Sequence, residues 1–156
     1  LWLGFHKCSQ DEYLDMIGSY VRYHHLHVPE DELLEVLEAA IGQAEDPSRA
    51  IFNFHAPPYK TELDQAAKLD ENLRPVSTPG GGVITVPVVS KAVRAVIEKY
   101  QPLLSLHGHI HECSAMSRIG RTVCVNPGTE YASGVLRGAI VELRGNDTPR
   151  WQLTQG

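Results

Sequence analysis

The sequence predicts an α/β protein. Helical patterns alternate with two short apolar segments typical of strands, and a series of hairpin strands follows them. Strands that alternate with helices favour a parallel sheet with crossover helices, whereas consecutive hairpins favour antiparallel additions. Each of the two apolar segments runs directly into a loop that contains histidine. The pattern therefore predicts a mixed sheet whose strand ends present imidazoles.

The helices are predicted from capping signals and from apolar spacing. Ser9 and Glu12 form a capping box, which begins a helix that extends to about residue 23. A second helix begins after Pro29 with an acidic first turn and should end near Pro47. Its apolar stripe repeats at helical spacing and is expected to pack in the core. The stripe consists of Leu33, Leu37, Ala40, Ile41 and Ala44.

A third helix should begin at Ser90, a favoured N-cap residue, and end at Tyr100 before Pro102. Its apolar face includes Val93 and Ile97. Residues 60–82 show no regular pattern, which indicates a functional or mobile segment. The predicted strands are 50–54, an extended 83–89, 103–106, 115–118, 122–126, 135–143 and a last one around Trp151.

The histidines that follow the predicted strands are the candidate site. His55 comes directly after strand 50–54, and Gly108-His109-Ile110-His111 comes after strand 103–106. In extended backbone, side chains two residues apart leave on the same side, so His109 and His111 can reach one point. The carboxyl edge of an open α/β sheet is where sites are built, and imidazole is a common metal ligand. The pattern predicts a shared metal site; the alternative is a solvated, histidine-rich loop.

Composition excludes several function classes. The net charge of −5 argues against a nucleic-acid partner. No apolar run approaches the roughly 20 residues that span a bilayer, and no signal peptide is visible. Three cysteines without a Cys-x-x-Cys pair indicate a reduced, cytoplasmic protein. Cys113 lies two residues after His111, but a buried, inert thiol is the favoured interpretation over a ligand.

Three motifs in order carry a resemblance to a known family. They are Asn53-Phe54-His55-Ala56-Pro57-Pro58, Gly108-His109-Ile110-His111 and Asn126-Pro127-Gly128-Thr129. Together they resemble the C-terminal half of a calcineurin-like metallophosphoesterase. The longer run 106–112 looks like the prokaryotic, Icc-like branch, and the resemblance covers roughly residues 50–145. It implies part of a four-layer α/β/β/α sandwich.

The resemblance also implies a function. By position, His55 and His109 would bind one divalent metal ion and His111 a second, with Mn, Zn or Fe as the ions. A hydroxide that bridges the two ions would hydrolyse a small phosphomonoester or phosphodiester, the known logic of binuclear phosphatases. From the residues themselves, His107 either holds its loop by a hydrogen bond or is a plain buried histidine. Asn126 either orients the site or serves only as a turn residue.

The chain also departs from the family. The Asp-x-His, Gly-Asp-x-x-Asp and Gly-Asn-His motifs are absent, so no residue is assigned as catalytic. Because these motifs precede the matching ones and the chain begins at Leu1, residues 1–156 are expected to be a single domain, the C-terminal portion of a longer phosphoesterase domain. The alternative is a truncated, non-catalytic module with one metal ion on three histidines, or with a docking role. An amidohydrolase-type enzyme is disfavoured because no carboxylate stands at a predicted strand end.

Overall fold

The computed structural model of the chain describes residues 29–145 and 148–156. The helix predicted before residue 23 lies outside these residues. Helix α1 is Glu30–Ile41 and helix α2 is Lys91–Tyr100; short 3-10 turns occupy Pro47–Arg49 and Tyr131–Ser133. The strands are β1 (Ile51–Asn53), β2 (Ala66–Ala67), β3 (Thr85–Val86), β4 (Leu104–Leu106), β5 (Ala115–Ile119), β6 (Thr122–Asn126), β7 (Arg137–Glu142) and β8 (Arg150–Gln155). The predicted α/β class is confirmed.

The main sheet is mixed. Its strand order is β1-β4-β6-β5, in which β1 pairs parallel with β4, β4 parallel with β6, and β5 antiparallel with β6. Helix α2 lies in the crossover between β1 and β4, as expected for a parallel pair. The predicted parallel front half and antiparallel continuation are therefore both present.

The two faces of this sheet are covered by different elements, since side chains alternate along each strand. On one face, Phe52 and Cys124 belong to a buried cluster with Val93, Val96 and Ile97 of α2. On the other face, the separate β7–β8 hairpin packs Ala139, Val141 and Leu153 against Leu104, Val123 and Val125. The described elements thus form helix, sheet and hairpin layers. Ile51 of the edge strand β1 remains 47% exposed.

Helix α1 is shorter than predicted. It ends at Ile41, where Gly42 follows as C-cap, rather than near residues 45–47. Of the predicted stripe, Ala40 and Ala44 are exposed. The helix contacts the core through Leu37 and Ile41, as the stripe predicts, and also through Leu34, which the stripe did not include. One helix face packs on α2, and this contact rather than apolar periodicity alone decides which side is buried.

The α2 prediction is confirmed. The Ser90 hydroxyl accepts a hydrogen bond from the Val93 amide, the expected N-cap contact. Val93, Val96 and Ile97 are buried, which agrees with the predicted face.

The segment predicted to be irregular is partly ordered by a buried carboxylate. Its strand β2 pairs with β3, which follows the segment, and isolated bridges join Leu69 to Pro75 and Ser77 to Val83. Asp64 is 0% exposed. Its two oxygens accept hydrogen bonds from the backbone amides of Lys60, Val88 and Val89 at 2.8–3.1 Å. Asp64 therefore links the backbone at residue 60 to the backbone at residues 88 and 89. Of the predicted strand 83–89, only Thr85–Val86 is regular.

Candidate functional site

The candidate site lies where three neighbouring parallel strands end. Strands β1, β4 and β6 finish at Asn53, Leu106 and Asn126 at the same edge of the sheet. The Gly108 amide donates to the carbonyl oxygen of His55 at 3.0 Å, which joins the loops after β1 and β4. The sheet topology therefore delivers the histidine loops to one edge, as the strand order predicts.

The structure brings His55 and His109 together. Their ring centroids are 5.1 Å apart, with the rings nearly perpendicular at 81°. Both side chains are exposed to solvent at the edge of the sheet. Partial burial lowers the pKa of His55, and the charges of His109 and His111 lower it further. A lowered pKa favours the neutral imidazole, which is the form that binds metal.

His109 has a left-handed backbone conformation. Its φ is +64°, a region that non-glycine residues enter infrequently. Such a conformation costs on the order of 1 kcal/mol and persists where the surrounding structure imposes it. The imidazole of His109 is therefore presented from a strained loop position rather than from the strand itself.

Asn126 imposes this loop conformation. Its amide nitrogen donates to the carbonyl oxygens of Gly108 at 3.0 Å and Ile110 at 2.9 Å, the residues on either side of His109. Its side-chain oxygen accepts from the Gly128 amide at 2.9 Å. The side chain is 1% exposed, and its described contacts support the interpretation that Asn126 orients the loop as well as forming a turn.

His107 is buried behind the same loops. Its Nδ1 lies 3.0 Å from the carbonyl oxygen of Ala56, and since a carbonyl only accepts, Nδ1 carries the proton. Burial lowers the pKa of His107 from 6.5 to about 4, so the ring is neutral near pH 7. Its Nε2 is buried without a hydrogen-bond partner among the described residues. His107 therefore contacts the loop after His55 through the carbonyl oxygen of Ala56 and is also buried. Both predicted roles, a hydrogen bond to a loop and a buried histidine, are present.

Two other residues that could hold a metal ion are engaged elsewhere. The Cys113 thiol is buried and donates to the carbonyl oxygen of Gln65 at 3.3 Å. Burial raises the pKa of this thiol, which disfavours the thiolate that binds metal. The carboxylate of Asp64 accepts three backbone amides. These contacts favour structural roles for both residues.

A polar cleft that the sequence analysis did not identify adjoins His111. Its volume is about 450 Å³. Arg137, from β7, forms an ion pair with Glu130 inside it. The sequence signals for this cleft are Glu112 next to His111 and Thr129 in the third motif, whereas Arg137 lies far along the chain. The other polar lining residues are Ser114 and Thr129.

The described residues do not complete a metal centre. Within 29–145 and 148–156, no group of three or more His, Cys, Asp and Glu side chains is arranged to hold an ion. The rings of His55 and His109 are adjacent and nearly perpendicular, but the pair of ions implied by the resemblance needs carboxylates. The assignment of His55, His109 and His111 as ligands stays a prediction.

Comparisons with known proteins do not identify a relative. No protein-family model, no curated protein and no solved structure matches the chain. No helix in the described part of the chain has the length and apolar character needed to cross a membrane.

Proposed function

We propose that this chain contributes part of the active site of a metal-dependent phosphoesterase that hydrolyses a phosphomonoester or phosphodiester. This part is the histidine edge, the sheet edge that carries His55, His109 and His111. One observation carries the proposal: the imidazoles of His55 and His109 lie side by side at the carboxyl edge of parallel strands, with ring centroids 5.1 Å apart. His111 follows two residues after His109, and its charge lowers the pKa of His55. These features agree with the roles that the family resemblance implies.

The residues would act as follows. His55 and His109 would hold one divalent ion as neutral imidazoles, and His111 would contribute to a second. When bound, such ions supply Lewis acidity and lower the pKa of water for attack on phosphorus. Asn126 would position His109 by fixing the carbonyls on either side of it.

The charge balance limits what the described residues do alone. Neutral imidazoles bring no negative charge, and two divalent ions close together repel unless carboxylates stand between them. The carboxylate of Asp64 is occupied by backbone amides, and that of Glu112 lies exposed beyond His111. The proposed binuclear chemistry therefore requires carboxylates in addition to those that residues 29–145 and 148–156 place at this edge.

The test is metal-dependent hydrolysis. The full-length protein encoded by the gene is assayed with p-nitrophenyl phosphate and its bis-ester after loading with Mn, Zn or Fe, and again in EDTA. His109→Gly should abolish turnover, since glycine accepts the positive φ and only the imidazole is lost. Leu73→Gly is the matched control, because Leu73 also has a positive φ and is 78% exposed. Metal-independent turnover, or full activity in His109→Gly, contradicts the proposal.

A second candidate is a metal-binding module without turnover. It is favoured by the same charge argument, because two adjacent imidazoles without a carboxylate suit one ion better than two. Isothermal titration with Zn separates the candidates. The module predicts one ion per chain, lost in His55→Ala, with no hydrolysis of either ester. Two ions per chain with hydrolysis support the phosphoesterase.

A further inference from the structure

The cleft beside His111 carries an inference about the substrate. Its volume of about 450 Å³ falls in the range of small-molecule sites. Such sites are mostly apolar, whereas six of the seven lining residues that the structure describes here are polar or charged. The cleft therefore suits a polar ligand.

The charges of the cleft argue against a second phosphate group. The guanidinium of Arg137 is the cation that would attract one, but it is paired with the carboxylate of Glu130. Glu112 adds a further carboxylate, so the described lining residues place two carboxylates against one guanidinium. The two carboxylates would repel a free anion, and the guanidinium of Arg137 would repel a cation placed next to it.

The hydrogen-bonding groups match a ligand that both donates and accepts. The carboxylates of Glu112 and Glu130 only accept, and the guanidinium of Arg137 only donates and has five N–H groups. One of these serves Glu130. The hydroxyls of Ser114 and Thr129 do both, and neither makes a side-chain hydrogen bond within the part of the chain described. Each hydroxyl of a sugar both donates and accepts, so a sugar can satisfy donors and acceptors that lie together.

We propose that this cleft binds the hydroxyl-rich, uncharged part of the substrate, the sugar of a sugar phosphate, through Glu112, Ser114, Thr129 and the Glu130–Arg137 pair. The inference rests on the proposed function, because it places the leaving group of the ester next to the histidine edge. The Thr129 amide donates to the carbonyl oxygen of His111 at 3.0 Å, which ties the cleft wall to the histidine loop. A sugar in the cleft would thus lie beside the histidine edge.

The experiment measures binding without turnover. D-ribose 5-phosphate and inorganic phosphate are titrated into metal-free protein in EDTA, and the amide resonances of Ser114, Thr129 and Arg137 are followed by NMR. Ribose 5-phosphate should shift these amides, and inorganic phosphate should not. Arg137→Met should weaken ribose 5-phosphate binding about tenfold or more, since it removes charge-assisted hydrogen bonds.

Matched variants keep the test decisive. Arg144→Met removes an equivalent Arg–Glu pair, with Glu142, on the exposed hairpin and should change binding less than about twofold. Thr129→Val removes one cleft hydroxyl at nearly constant shape and should also weaken binding if Arg137→Met does not fold. Equal shifts with inorganic phosphate indicate an anion site and overturn the proposal, as does the absence of shifts at the cleft amides.

The outcome is separable from that of the proposed function. Hydrolysis of aryl phosphates without sugar binding in the cleft refutes only the sugar site. Sugar binding without hydrolysis refutes only the phosphoesterase.

Discussion

Replacing Asn126 by aspartate changes its side-chain nitrogen into an oxygen. This nitrogen contacts the loop after β4 at Gly108 and Ile110, on either side of His109. The amide of Asn126 donates to two carbonyl oxygens and accepts from one backbone amide. Aspartate is nearly isosteric but cannot donate when ionised, so two donated hydrogen bonds become contacts between oxygens. The variant isolates hydrogen bonding from packing at a side chain that is 1% exposed.

The expected cost follows from counting these bonds. Three hydrogen bonds with net values near 1 kcal/mol each give a loss of about 3 kcal/mol in the free energy of unfolding for Asn126→Ala. Asn126→Asp should cost at least as much at pH 7, because its carboxylate is buried against two carbonyl oxygens. It should recover stability at low pH, since burial raises the pKa of the introduced carboxyl and the protonated form can donate.

Urea denaturation at pH 7 and pH 4.5 measures these differences. Asn53→Asp is the matched control, because Asn53 also ends a parallel strand but is exposed. The control should lose less than about 0.5 kcal/mol. A loss below about 1 kcal/mol in Asn126→Asp, or equal losses in both variants, would refute the conclusion that Asn126 holds the loop.

Three further predictions concern pH, the buried carboxylate and the turn glycine. Because the pKa of His107 falls from 6.5 to about 4 on folding, its contribution of about 3 kcal/mol is complete above pH 6.5 and is lost as pH falls towards 4. In His107→Asn, which keeps a donor near the Nδ1 position, the urea midpoint should depend less on pH over this interval. An unchanged pH dependence of the midpoint would contradict the assignment of this effect to His107. Asp64→Ala leaves three backbone amides without their acceptor and should lower the free energy of unfolding by about 3 kcal/mol or more, whereas a loss under about 1 kcal/mol would show that water replaces the carboxylate. Gly128→Ala puts a Cβ 2.8 Å from the carbonyl oxygen of His111 at φ +68°, whereas the Cβ of Gly134→Ala, at φ +72°, meets nothing within 4 Å. Because both variants share the strain of a positive φ, calorimetry should show a larger fall in Tm for Gly128→Ala. Equal falls in Tm would exclude the backbone clash.

The sequence by itself determined the α/β class and the location of the histidines. Both depend on local signals: apolar strands that run into loops at His55 and at His109, and a Ser90 cap that begins the crossover helix. Parallel strands place their carboxyl ends together, so the sequence predicted that His55 and His109 lie at one edge of the sheet. The pairing of β1 with β4 in the structure then brings the two rings into contact. The Asn-Pro-Gly turn was likewise readable, because its side-chain and backbone geometry is local.

Only the tertiary structure decided which polar groups meet across long stretches of chain. Asp64 contacts the amides of Val88 and Val89, and His107 contacts the carbonyl of Ala56, on different loops. Arg137 and Glu130 lie only seven residues apart, but only the tertiary structure places their ion pair in the same cleft as His111. Periodicity and capping report a residue's immediate neighbours, whereas these contacts depend on how layers pack, which no local pattern encodes.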